Sequence, residues 1–178
     1  MSKLIASQST KSKKVVDIEK LKNSVEFINL SNFFEQKNNF DLTETILKKK
    51  KKISLRVVEY VTANSRKFFF NIYDHGVFRD KLDALGKRNF DVFRRSSRFE
   101  VSLGGRTITT NLSQMRFFRH AISAGVIDWL LESEENVKRA EKSMNEELSK
   151  KIKKPRGSRK KRKRELRAIG TSNITFSF

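Results

Sequence analysis

The chain has no cysteine, one proline and only two histidines among its 178 residues. The absence of cysteine excludes disulfides, thiolate zinc sites and a cysteine nucleophile. The two histidines, His75 and His120, have no ordered set of carboxylates around them, so a metal site is not expected. No apolar run approaches the ~20 residues of a membrane span, and the first residues lack the apolar segment of a signal peptide. The sequence therefore favours a non-enzymatic protein without cofactor or membrane segment.

Positive charge is present in excess, with 40 Lys and Arg against 20 Asp and Glu. Residues 1–52 carry a net +6, residues 53–147 a net +3 and residues 148–178 a net +11. Such a local concentration of charge attracts a polyanion, and the closely spaced phosphates of nucleic acid release counterions when cations neutralise them. The predicted contacts of the basic run are Lys150, Lys151, Lys153, Lys154, Arg156, Arg159, Lys160, Lys161, Arg162, Lys163 and Arg164.

The same run has other uses. Lys153-Lys154-Pro155-Arg156 and the cations after it also resemble a nuclear import signal, and basic runs bind RNA or acidic protein surfaces such as those of a capsid. DNA is favoured over RNA as the partner, with capsid or core proteins as further partners. The oligomeric state stays open.

A second cationic group precedes a predicted hairpin. Arg94, Arg95 and Arg98 cluster there, and Arg106 lies just after the turn. Arginine forms paired hydrogen bonds to phosphate better than lysine does. The alternative is structural pairing, in which Asp91 holds one of these arginines in an internal salt bridge. Both interpretations stay open on the sequence.

Hydrophobic spacing predicts an α+β fold: a small, mostly helical domain with a central β-hairpin, a C-terminal strand and basic tails. Residues 1–14 are predicted to be a disordered basic arm, 15–52 a helical segment with a lysine run, and 53–148 the folded core. Residues 149–170 form the basic tail and 171–178 the last strand, where Ile174, Phe176 and Phe178 alternate with polar residues.

Within these segments, local signals place the elements. Gly104-Gly105 between alternating runs predicts the hairpin turn, and Asn111 with Gln114 predicts a helix start. The predicted helices cover 15–34, 41–47, 54–63, 77–85, 111–124 and one long stretch from Ile127 to Leu148. Phe68 to Tyr73 is predicted to be a buried strand or an extended segment, and Lys48 to Lys52 a linker in preference to a helix surface.

Two residue groups carry alternatives. Phe68, Phe69, Phe70, Phe117 and Phe118 fit a core of large aromatics better than a base-stacking platform. Arg116, Arg119 and His120 share one polar side of a predicted helix, which is either a groove-entering face or, as favoured here, an ordinary solvated face. His120 is accordingly expected to be partly exposed.

The order of motifs resembles a family of small uncharacterised proteins of nucleocytoplasmic large DNA viruses. The similarity covers about residues 53–178 and rests on Phe90-Asp91-Val92-Phe93-Arg94-Arg95, the hairpin, Thr109 to Phe118, Val126 to Leu130 and Glu165-Leu166. Val92 and Arg94 stand where that family often has Pro and Cys, so no thiol role is implied. The resemblance implies a virion, a host nucleus or a cytoplasmic virus factory as the location.

Together these patterns favour sequence-independent nucleic-acid binding in a large DNA virus, for packaging, condensation or a nuclear accessory role. The alternative is a virion structural protein, a minor capsid or core cement component, whose basic tail and last strand dock on neighbouring subunits.

Overall fold

The computed structural model describes residues 3–9, 16–36, 38–50, 52–68, 86–94 and 97–153. In these ranges the chain is an α+β domain of seven helices and one three-stranded antiparallel sheet, which confirms the predicted fold class. The strands are β1 (Ile5–Gln8), β2 (Phe99–Leu103) and β3 (Arg106–Thr110). The helices are α1 (Ile18–Lys22), α2 (Val25–Glu35), α3 (Asn39–Leu47), α4 (Leu55–Ala63), α5 (Leu112–Ser123), α6 (Val126–Glu132) and α7 (Glu134–Lys153).

The central hairpin forms as predicted. β2 and β3 pair antiparallel with Leu103 opposite Arg106, so Gly104 and Gly105 make a two-residue turn. Both glycines have positive φ, 57° and 76°, which is the requirement of a primed turn and the reason glycine stands at both positions. The inward side chains of the hairpin, including Phe99, Val101 and Ile108, are buried against the helices.

The prediction of a disordered arm is wrong for residues 5–8, which form β1 on the other side of β2. The sheet order is β1-β2-β3, with Ala6 opposite Val101. Leu4 and Ala6 are 9% and 3% exposed, and the Leu4 amide donates to a Glu35 carboxylate oxygen at 2.7 Å. A four-residue strand has too few positions to show alternation, so its pairing with a distant strand decides its structure.

The helix predicted over 15–34 is two helices, α1 and α2, which are separated at Asn23 and Ser24. The Ser24 hydroxyl accepts the amide of Phe27 at 3.2 Å and caps α2. A serine three residues before the orphan amide of a first turn is a favourable N-cap, so the chain restarts its helix there. The helix predicted over 41–47 is confirmed within α3, and the linker over 48–52 is non-helical at the described residues.

The long helix predicted from Ile127 to Leu148 is also two helices, α6 and α7. Ser133 between them is extended, with φ −151° and ψ 145°. Its hydroxyl accepts the amides of Glu135 and Asn136 at 3.1 and 3.2 Å. Ser133 therefore acts as a second internal N-cap. α5 ends before Gly125 as predicted, where the positive φ of 70° suits glycine.

The hydrophobic core reaches much further toward the N-terminus than residue 53, so the predicted core boundary is wrong. Leu21, Phe27, Leu30, Phe34, Phe40 and Ile46 belong to the same buried cluster as Val58, Phe118 and Leu130. Phe27 packs edge-on against Phe99, with ring centroids 6.0 Å apart. The N-terminal helices thus supply part of one core, in which Phe68, Phe117 and Phe118 are buried as expected.

Several predictions lie outside the described residues. These are Phe69 to Tyr73 of the predicted strand, the predicted helix over 77–85, His75, and the predicted strand over 171–178.

Candidate nucleic-acid interface

Side chains at the start of α5 fix the backbone of residues 86–94, a segment that we call the arginine loop. Asn111 caps α5 by accepting the amide of Gln114 at 2.9 Å, and its side-chain NH2 donates to the Arg94 carbonyl at 3.3 Å. The Gln114 amide group donates to the Val92 carbonyl at 2.9 Å, and the Ser113 hydroxyl to the Arg88 carbonyl at 3.4 Å. These three side chains are buried. The motif from Thr109 to Phe118 therefore fixes the backbone of the motif that begins at Phe90.

Residues 91–94 of the arginine loop form a tight turn. The Arg94 amide donates to the Asp91 carbonyl at 3.2 Å, and the Asp91 carboxylate accepts the Phe93 amide at 2.9 Å. Val92 is fully buried and anchors the turn in the core. Asp91 therefore orients backbone, as an Asx turn does, and within the described ranges no salt bridge from Asp91 to an arginine is found.

The arginine loop places two guanidinium groups at the surface. Arg88 and Arg94 are exposed, and the Arg94 guanidinium donates across the loop to the Arg88 carbonyl at 3.2 Å. Arg98, just before β2, is also exposed, and Arg95 lies outside the described residues. The predicted phosphate patch thus keeps Arg94 and Arg98 at the surface and gains Arg88, which sequence reasoning missed.

Arg106 is used for structural pairing. Its guanidinium lies 2.6 Å from an Asp41 carboxylate oxygen and 3.9 Å from Glu44, and it stacks over the Phe40 ring at 5.8 Å. Asp41 and Glu44 are on α3, so this contact attaches the hairpin turn to that helix.

Two lysines of the run from Lys48 to Lys52 contact Glu44, the carboxylate that also lies near Arg106. Glu44 is buried, and its two carboxylate oxygens contact Lys48 at 2.8 Å and Lys50 at 2.7 Å. Hydrogen bonds from these two lysines hold the pKa of Glu44 below its usual range. Lys48 and Lys50 therefore neutralise a buried carboxylate, which is a structural role.

Helix α7 carries the beginning of the basic run. Ala140 is fully buried, the Tyr60 hydroxyl lies 2.8 Å from the Ser143 hydroxyl, and Lys67 forms an ion pair with Glu147. These contacts fix α7 on α4 up to its fourth turn. Lys150 is exposed beyond them.

The predicted start of the tail at residue 149 is five residues too early, because α7 continues to Lys153. Lysine is a good helix former, and cations at a helix C-terminus interact favourably with the helix dipole. Lys151 and Lys153 therefore lie in the last turn of α7. The remaining tail cations lie outside the described residues: Lys154, Arg156, Arg159, Lys160, Lys161, Arg162, Lys163 and Arg164.

The polar side of α5 borders a cleft against α2, where His120 is buried, Arg116 is partly buried and Arg119 is exposed. The prediction of a solvated face therefore fits Arg119 but is wrong for His120. Arg116 forms a two-pronged ion pair with Glu26 of α2, with one N–O distance of 2.6 Å, and also donates to Asn89. The Arg119 guanidinium lies 5.7 Å from the centre of the Phe33 ring. Arg116 and Arg119 line a cleft of about 660 Å³ between α2 and α5, and each of them contacts a residue of α2.

His120 is 6% exposed, and the prediction of partial exposure is wrong. It faces the cleft between α2 and α5 because α2, which is distant in sequence, covers that side of α5. Burial lowers the pKa of His120 to about 4. The histidine is therefore neutral at neutral pH.

The pKa of His120 makes stability depend on pH. Between pH 6.5 and about 4, the unfolded chain binds a proton at this residue that the folded chain does not. Stability from this source is complete above pH 6.5 and decreases as pH falls, by about 3 kcal/mol in total. We expect urea unfolding of His120→Gln to show a correspondingly flatter decrease over this range, because glutamine does not titrate. Parallel curves for the two proteins would contradict this, and comparing slopes cancels the titration of the carboxylates.

Arg88 and Phe93 are the surface residues that sequence reasoning missed. Phe93 is 46% exposed, whereas Phe90 is 9% and Phe99 2% exposed. The available signal was Asp91, because an aspartate whose side chain accepts the amide two residues later marks a turn, and turns lie at the surface. Arg88 gave no sequence signal.

These observations define a small α+β domain with an arginine loop and a helix that leads into a cationic run. The chain belongs to the family of unknown function DUF7197, which matches residues 5–173. The match includes β1, in agreement with the place of this strand in the core. No curated protein and no solved structure matches the chain. Over the residues described above, no helix has the length and apolar character to cross a membrane.

Proposed function

We propose that this protein is a non-enzymatic, sequence-independent nucleic-acid-binding protein of a large DNA virus, acting in genome packaging, condensation or a nuclear accessory role. The observation that carries the proposal is the cationic run, in which eleven of the fifteen residues from 150 to 164 are Lys or Arg. Neutralising phosphates with such a run releases counterions, which supplies affinity without reference to base sequence.

The folded domain supports the proposal in two ways. α7 is fixed on α4, so the cationic run starts from a defined point of the domain. The arginine loop adds exposed guanidinium groups on a backbone that is held by hydrogen bonds from the buried side chains of Asn111 and Gln114, and arginine is suited to phosphate recognition. The lysine run contributes less, since Lys48 and Lys50 contact Glu44.

In the part of the chain that the structure describes, little is offered for reading base edges in a groove. On the polar side of α5, Arg116 pairs with Glu26 and Arg119 lies over the Phe33 ring, and both partners belong to α2. Reading a major groove requires a helix or ribbon with free polar side chains. This supports binding through phosphates.

A virion structural role is the second candidate. Val25 and Ile28, one turn apart on α2, are 74% and 46% exposed, which would suit a protein contact. Two exposed aliphatic residues are common on protein surfaces, so the candidate ranks second. In that role the cationic run would lie along acidic neighbours.

The proposal is tested by the binding of the full chain to two duplexes of equal length and unrelated sequence, at about 50 mM salt, where phosphate contacts are strong. We expect dissociation constants within a few-fold of each other, because phosphate contacts carry no base information. A large preference for one duplex would place the contacts on base edges. Absence of binding to both, with binding to polyglutamate retained, would favour the structural role.

A further inference from the structure

We infer that Phe93, flanked by Arg88 and Arg94, is a stacking site for an unpaired base, so that the protein engages single-stranded nucleic acid through its folded domain. The inference rests on the proposed nucleic-acid binding and specifies which form of nucleic acid the arginine loop accepts.

The exposure of Phe93 is the first observation. Among the described residues it is the one aromatic side chain in the exposed class, at 46%. The other exposed large apolar residues are aliphatic: Ile5, Val25, Ile28 and Leu148. An aromatic ring at the surface can stack on any base, because every base has a π face.

The rigidity of its support is the second observation. The Phe93 amide is held by Asp91 at 2.9 Å, and the carbonyls on either side of Phe93 accept hydrogen bonds from Gln114 and Asn111 at 2.9 and 3.3 Å. Val92 is fully buried next to it. The ring is therefore presented by a backbone fixed at several points, which reduces the ordering cost of binding.

The charge around the ring selects the partner. Arg88 and Arg94 are exposed on the same loop, and the Arg94 guanidinium reaches the Arg88 carbonyl at 3.2 Å. An exposed ring on a loop that also carries exposed arginines suits a base with its neighbouring phosphates, since single-strand sites combine cationic grooves with aromatic platforms. An apolar pocket of a protein partner would leave these charges without complementary groups.

Duplex and single strand are predicted to use the protein differently. In a duplex the bases are stacked and paired, so Phe93 has no free base face to contact and only phosphates are available. A single strand can offer both a base to Phe93 and phosphates to the arginines.

The test compares three ligands of equal length: a thymidine oligonucleotide, an abasic oligonucleotide with the same phosphates, and a duplex. In the full chain, Phe93→Leu should weaken binding of the thymidine strand about fivefold or more, since stacking contributes on the order of tenfold per base. It should leave the abasic strand and the duplex unchanged. Val25→Ala, at an exposed aliphatic residue of α2, is the matched control and should change none of them.

A second variant reports the contact directly. Phe93→Trp should show fluorescence quenching by the thymidine strand but not by the abasic strand, because stacking on a base quenches indole emission. The native Trp129 lies 5.5 Å from Phe68 and supplies a constant background. Equal affinity of wild type and Phe93→Leu for the thymidine strand would overturn the inference while leaving phosphate binding intact. Failure of the wild type to bind any of the three ligands would overturn the proposed function itself.

Discussion

Removal of residues 154–178 is expected to change the salt dependence of DNA binding from a slope of roughly −7 to roughly −2, in log affinity against log salt. About eight cations in contact with duplex phosphates give the first value, at close to −0.9 per phosphate. About two contacts from the cations that remain, on the arginine loop and at the end of α7, give the second. The cut after Lys153 leaves α7 complete, so the loss would be due to charge. Fluorescence anisotropy over a salt series measures both slopes.

Two controls accompany this truncation. A full-length chain with every Lys and Arg after residue 153 replaced by Gln should behave like the truncated chain, which separates charge from length. Lys20→Gln, at an exposed lysine of α1, should change the slope by no more than about one contact. A truncated chain that keeps the full slope would place the binding site on the folded domain.

Removal of residues 1–9 is expected to destabilise the domain by about 3 kcal/mol or more. The deletion removes β1, exposes one edge of β2 and loses the burial of Leu4, which alone contributes about 2 kcal/mol. At about 2–4 °C per kcal/mol for a chain of this size, the melting temperature should fall by about 10 °C. Circular dichroism melting curves would measure it.

Single substitutions at residues 4 and 5 test the contribution of this segment to stability without a deletion. Leu4→Ala should cost about 2 to 3 kcal/mol, because Leu4 is 9% exposed. Ile5→Ser, at the neighbouring residue that is 61% exposed, should cost little. An unchanged melting temperature for the deletion would mean that residues 1–9 are dispensable for the fold.

Features set by neighbouring residues were predictable from the sequence. The Gly104-Gly105 turn and the caps at Ser54 and Asn111 follow from backbone conformation and from side-chain hydrogen bonds three residues away. These interactions do not depend on the rest of the fold, so their sequence patterns keep their meaning. The arginine cluster near Arg94 was also predictable, because its members are close together in the sequence.

Features set by distant contacts were not predictable. β1 is a strand because β2, more than ninety residues later, pairs with it. His120 is buried because α2 covers α5. Arg116 was expected on a free polar face, and its partner Glu26 lies ninety residues away. In each case the local pattern allowed two outcomes, and tertiary packing chose between them.

Internal serine caps were a third source of error. Ser24 and Ser133 lie inside runs whose apolar spacing continues across them, so periodicity alone predicts one helix in each place. A serine followed by an acidic residue two positions later was available as a signal at both sites, with Glu26 and Glu135. The competing cap interaction ends one helix and starts the next.

The measurement that tests the central claim most directly is lysine acetylation of the full chain, followed by mass spectrometry, with and without duplex DNA. The account predicts that DNA slows the modification of Lys154, Lys160, Lys161 and Lys163 strongly. Lys20 and Lys22, exposed on α1, should react at the same rate in both samples and serve as internal controls. If DNA binds while these four tail lysines are modified as fast as in the free protein, the claim that the cationic run holds the nucleic acid is contradicted.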